Sequence, residues 1–133
     1  MPTSNIYRTF ALAVGVVFLL VGLLGLVPAL DPGNALLGIF AVNVVHNIIH
    51  LLVGILGIAA AYTGTGKLYA RGLGIVYLLV AILGFVPALF FNGELLGLVS
   101  INLADNLLHL VVAIAALYVG FGLQDRTAPA YRA

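Results

Sequence analysis

The sequence predicts an all-α integral membrane protein, a four-helix bundle made of two parallel tandem repeats of two transmembrane helices each. Three observations lead there. The 133 residues are 64% hydrophobic and only 7% charged, with a mean hydropathy of +1.26, whereas roughly a quarter of a soluble domain is charged. Four apolar runs are each near or above the ~20 residues that cover a hydrocarbon core of ~30 Å. Finally, "LLVGLLGLVPAL" (19–30) returns as "LLVAILGFVPAL" (78–89), 59 residues later.

The apolar runs cover residues 9–30, 35–62, 73–91 and 95–121. They read as helices because the apolar residues are continuous, where barrel strands would alternate with polar ones. The first run follows Arg8, as a signal peptide would, but it is too long for one and the repeat requires it. Pro28 and Pro87 stand at equivalent places near the ends of runs one and three, where they stop or bend a helix without breaking its middle. The five cations, Arg8, Lys67, Arg71, Arg126 and Arg132, all fall before run one, between runs two and three, or after run four. The turns "DPGN" (31–34) and "FFNGE" (90–94) on the opposite side hold Asp31 and Glu94 and no Lys or Arg. By the positive-inside rule both termini are cytoplasmic, and the protein is expected in a plasma membrane as a multi-pass chain whose first partner is the lipid bilayer.

Several function classes are excluded early. Without cysteine there is no disulfide, thiolate metal site or thiol nucleophile. A net charge of +1, scattered along the chain, provides no nucleic-acid footprint. "GTGKLYARG" (64–72) lacks the spacing of a phosphate loop. Tyr62 and Tyr69 on one side, and Phe90 and Phe91 on the other, read as aromatic belts.

The 59-residue offset also carries "LLGIFAVNVVHNIIHLLVG" (36–54) onto "LLGLVSINLADNLLHLVVA" (95–113). Repeat one is then about 8–62, repeat two about 67–121, and 122–133 a cytoplasmic tail. Two helices per repeat give both repeats the same orientation, so a pseudo-two-fold axis along the membrane normal is expected. Asn43 falls on Asn102, His46 on Asp105, Asn47 on Asn106 and His50 on His109. In helices two and four these eight residues occupy positions i, i+3, i+4 and i+7, one polar stripe per helix, which belongs inside the bundle. With helix two starting near Leu36, Asn43 is expected about 10 Å from the outer edge, His46 near the midplane and His50 about 6 Å beyond it. His46 and Asp105 are expected to face each other across the axis and to pair, directly or through one water or metal ion.

"HNIIHLLVGILG", "ADNLLHLVV", the upstream "LLGIFAVN" and the paired "VPAL" helix ends resemble the bacterial membrane family catalogued as domain of unknown function 4383. The resemblance spans nearly the whole chain. It implies four membrane helices in a bacterial plasma membrane and no particular activity.

Function is therefore argued from the stripe. The first reading is a non-enzymatic bundle or accessory subunit whose Asn43, His46, Asn47, His50, Asn102, Asp105, Asn106 and His109 form a hydrogen-bonded polar core. The alternative is a cofactor. His46, His50, Asp105 and His109 are a plausible ligand set for a divalent transition metal, and His50 with His109 for the two axial positions of a haem. The small residues Gly54, Gly57, Ala113 and Ala116 continue the stripe and either make room for such a group or pack helices tightly. A lesser alternative is a proton relay, against which the stripe stops about midway, with no polar side chain from Leu51 until Tyr62. An enzyme is least supported: no serine, cysteine or lysine nucleophile accompanies the histidines, and Ser100 lies a helical step off their face. Gly15, Gly22 and Gly25 on helix one suggest close packing inside the bundle, or against a second copy or a larger membrane complex.

Overall fold

The computed structural model describes residues 3–126; Arg132 and the end of the tail lie outside them. Four helices are long and apolar enough to cross a membrane: α1 (Thr3–Leu24), α2 (Val44–Thr63), α3 (Gly66–Gly84) and α4 (Leu103–Leu117), the last prolonged by a π-helical turn, Tyr118–Gly122. α1 lies against α2, and α3 against α4. Small residues set the first of these contacts. A Cβ added to Gly15 or Gly54 would run into the backbone of the facing helix, so these helices meet main chain to main chain.

The expected helix starts at residues 35 and 95 are not observed. α2 and α4 begin eight residues later, and the preceding stretches are hairpins. Strands β1 (Ala35–Leu36) and β2 (Phe40–Ala41) pair as Ala35 with Ala41 and Leu36 with Phe40. After a two-residue pair β3 (Phe90–Phe91), strands β4 (Glu94–Leu95) and β5 (Val99–Ser100) repeat that register with Leu95 opposite Val99. Both hairpins turn through a Leu-Gly pair in the left-handed region: Leu37 and Gly38 have φ of 54° and 71°, and Leu96 and Gly97 have 54° and 68°. A helix cannot pass through two such residues. Asn92 and Gly93 make the tight turn between β3 and β4 with φ of 54° and 82°.

Asn43 and Asn102 consequently stand outside the helices, as their N-caps. The Asn43 side chain accepts from the His46 N–H at 2.8 Å, and the Asn102 side chain from the Asp105 N–H at 3.0 Å. Asp105 completes a capping box by accepting from the Asn102 N–H at 2.9 Å. The polar core therefore lies in the first two turns of α2 and α4 rather than at mid-helix. Counting along α2, His46 is about 11 Å and His50 about 5 Å from its midpoint, towards the hairpin end.

At the other end the chain is tied by Asp125. Its carboxylate accepts from the Tyr7 hydroxyl at 2.9 Å and from Lys67 at 2.6 Å, and Arg71 donates to the Gly120 carbonyl at 2.8 Å. The Lys67 ammonium, and then the Tyr7 hydroxyl, hold the Asp125 carboxyl below its ordinary range.

Candidate functional site

His46, His50 and His109 come together between the helix pairs. One ligand nitrogen from each lies within 4.8 Å of the others. The ring centroids are 4.4 Å apart for His46 and His50, 5.8 Å for His46 and His109, and 6.5 Å for His50 and His109. Exposures of 2%, 5% and 4% put all three out of contact with solvent or lipid. Phe18 packs edge-on against His50 at 5.1 Å, Tyr77 against His109 at 5.2 Å, and the two aromatic rings meet at 5.4 Å. Sequence reasoning overlooked Phe18 and Tyr77, although they too stand 59 residues apart.

The hydrogen bonds of these rings are few. His46 Nδ1 bonds the Ala41 carbonyl at 3.0 Å. A carbonyl only accepts, so Nδ1 carries the proton and Nε2 the lone pair. His46 Nε2, His50 Nδ1 and His109 Nδ1 are buried and have no hydrogen-bond partner among the described residues. Buried polar atoms in native proteins are nearly always bonded, so three in one cluster need an explanation.

Asp105 does not join the cluster. It is 2% exposed, and its Oδ2 accepts from the backbone N–H of Asn102 and, at 3.0 Å, from that of Ala41. The expected direct pairing with His46 is thus replaced by one through a peptide: the Ala41 carbonyl receives His46 and its N–H reaches Asp105. The reason is the hairpin, which inserts β2 between the two side chains. A capped helix N-terminus with two N–H donors also supplies the partners that a carboxylate among apolar segments requires.

The amides hold the frame. Asn47 Nδ2 donates to the Gly25 carbonyl at 2.8 Å, and Asn106 Nδ2 to the Gly84 carbonyl at 2.7 Å. A Cβ built on Gly25 or Gly84 would overlap these amides, so the close approach requires glycine. Asn43 Nδ2 donates to the Leu98 carbonyl at 2.9 Å and to Glu94 at 2.9 Å, while Asn102 Nδ2 donates to the Ile39 carbonyl at 2.7 Å. Each cap thereby fastens the hairpin of the opposite half. Ser100 is in β5 and donates to Glu94 at 3.3 Å, away from the helical face on which the sequence placed it.

Apolar cavities flank the histidines. One, of about 200 Å³, lies between α2 and α3 beneath the β4–β5 hairpin and is lined by all three histidines with Ile49, Val76 and Val80. Another, of about 80 Å³, lies between α1 and α4 against His50 and His109. Neither has room for a tetrapyrrole, because Phe18 and Tyr77 fill the layer next to His50 and His109, and Gly54 and Gly57 are taken up by contact with α1. Beneath the rings Phe18, Leu73, Tyr77, Ala113 and Ala116 form an apolar layer, which gives a proton relay nothing to continue through. At the hairpin end a polar cleft of about 460 Å³ is lined by Asp31, Asn43, Asn47, Glu94 and Ser100.

The pattern of the family described as domain of unknown function (DUF4383) matches residues 8–122. The chain belongs to this family. The match takes in all four helices, both hairpins and every residue of the polar core. No curated protein and no solved structure matches the chain.

Proposed function

We propose that this DUF4383 protein binds one late first-row transition ion, Zn²⁺ or Cu²⁺, through His46, His50 and His109. It would do so as a non-enzymatic, multi-pass protein of a bacterial plasma membrane with both termini cytoplasmic. The observation that carries the proposal is the convergence of three buried imidazoles whose nitrogens lack protein partners. Polar glue explains the four asparagines, each of which is bonded, but it does not explain histidines that bond to nothing. Imidazole suits zinc and copper, and three neutral ligands with one position left open are a familiar zinc arrangement.

His46 has the second-shell support expected of a ligand: its far nitrogen donates to a backbone carbonyl, which fixes the tautomer and leaves Nε2 for the metal. Ligand nitrogens around a tetrahedral ion with bonds of ~2.0 Å stand roughly 3.3 Å apart, so binding would draw the rings inward from their present spacing. Asp105, bonded to the same Ala41 peptide, supplies one negative charge to the core without being a ligand. The polar cleft with Asp31 and Glu94 offers a dication a favourable approach from the hairpin side. Two halves related by a pseudo-two-fold axis would bring His50 and His109 to the ion from equivalent places, with His46 as the ligand that breaks the symmetry. The glycine faces left at the bundle surface would allow association with a second copy or a larger membrane complex.

The test is metal analysis of detergent-purified protein after exposure to Zn²⁺ and removal of excess. One ion per chain is expected, falling below a tenth in His50→Ala and His109→Ala, with Asn47→Ala as the control that keeps it. Uptake unchanged in both histidine variants would overturn the proposal.

A further inference from the structure

We infer that the cavity between α2 and α3 receives the ring of a bilayer-dissolved phenol or hydroquinone, whose oxygen becomes the fourth ligand of the ion held by the three histidines. This rests on the metal reading above and goes beyond it in naming what the site takes. The cavity's mouth is built from side chains that face the membrane: Ile49 is 39% exposed, Val76 54% and Leu98 59%. A molecule arriving there comes out of lipid rather than water.

The volume of about 200 Å³ is below the ~300 Å³ at which whole-ligand pockets begin, so the cavity suits one ring with its tail left among the lipid chains. The only polar atoms it offers such a ring are histidine nitrogens, among them the buried, unpartnered Nε2 of His46.

Charge selects the chemistry of the head group. A divalent ion with three neutral imidazoles and the nearby Asp105 carboxylate leaves one positive charge in a region without counter-ions, which a low dielectric penalises. One anionic oxygen ligand removes it. A phenol, whose hydroxyl ionises near pH 10 in tyrosine, gives up its proton to a metal far more readily than an alkanol does. On binding, the phenol O–H bond breaks, an oxygen–metal bond forms, and the proton leaves to the solvent; no oxidation is involved. The smaller cavity on the other side, about 80 Å³ against Val17, Val21 and Phe18, has no space for the same ring, so one ligand per chain is expected.

The test uses full-length protein loaded with Co²⁺, whose visible bands report its ligands. Adding 2-naphthol should shift those bands and release about one proton per chain. 2-Methoxynaphthalene, the same ring without an ionisable oxygen, and 2-naphthalenemethanol, an alkanol, should leave them unchanged. Val80→Trp fills the cavity without touching a ligand. It should keep the Co²⁺ spectrum and weaken the naphthol response by about tenfold or more, since a bulky side chain in a fitted pocket excludes the ring. Val21→Trp, on the other side, should respond as the wild type does. Bands that 2-naphthol does not move, or that move equally in Val80→Trp, overturn this inference and leave the metal site standing. Failure to take up Co²⁺ removes both.

Discussion

The two halves of the molecule make the same contacts and then differ where it matters. Asn47 binds the Gly25 carbonyl and Asn106 the Gly84 carbonyl; Phe18 backs His50 and Tyr77 backs His109; Asn43 holds the Leu98 carbonyl and Asn102 that of Ile39. All of these pairs are 59 residues apart. The departures gather at one place. His46 stands where the second half has Asp105, Ala35 where it has Glu94, and Asp31 where it has Phe90. Shared contacts build the frame, and the departures create an asymmetric centre: one half adds a ligand and the other adds the charge. A symmetric core would have two histidines competing for one hydrogen-bond pattern or two carboxylates repelling each other.

This comparison can be broken by removing its parts. The largest effect is expected from Asp105→Ala, which leaves the buried N–H groups of Ala41 and Asn102 without their charged acceptor. We expect a loss of about 3 kcal/mol in detergent unfolding, near the top of the range for hydrogen bonds to charged groups. His46→Ala, at the equivalent place, frees only the Ala41 carbonyl and should lose about 1 kcal/mol. Equal losses would show that the asymmetry has no energetic consequence.

Next come the positions where the halves agree. Gly25→Ala and Gly84→Ala should each cost about 1–3 kcal/mol, through overlap with Asn47 and Asn106, and the two values should match within error. A large difference between them would mean that the two frames are not equivalent.

The smallest effect is at the far end. Asp125 is exposed, and Lys67 holds its carboxyl below the ordinary range. A depressed folded value contributes stability that is present above the unfolded pKa of about 3.9 and lost as pH falls through the folded value. Asp125→Asn should therefore leave thermal stability almost unchanged in high salt, where screening removes most of the pair, and should flatten its decline below about pH 4. A shift at pH 7 as large as that of Gly84→Ala would assign the terminal tie a structural weight it is not expected to have.

Much of this was legible in the residues. Hydropathy gave the number of helices, and the 59-residue offset brought His46, His50 and His109 onto facing elements before any coordinates. The hairpins were missed because "LLGIFAVN" and "LLGLVSIN" are as apolar as a helix, and hydropathy does not distinguish a buried strand pair from a helical turn. A local signal was available: Asn102 with Asp105 three residues on is a capping pattern, which marks a helix start at 103 rather than 95. Missing it moved the polar core to the midplane in the reading and Ser100 onto a helix. The link from His46 to Asp105 through Ala41 could not have been read at all, since it uses a main-chain peptide and any residue type would serve.

The central claim is that three imidazoles hold one ion. X-ray absorption at the metal edge of the Zn²⁺-loaded protein tests it most directly. The account predicts a four-coordinate ion with nitrogen or oxygen neighbours at about 2.0–2.1 Å and the outer-shell pattern of three imidazoles, reduced to two in His46→Ala. A six-coordinate oxygen shell, or a spectrum indifferent to the loss of His46, would contradict it.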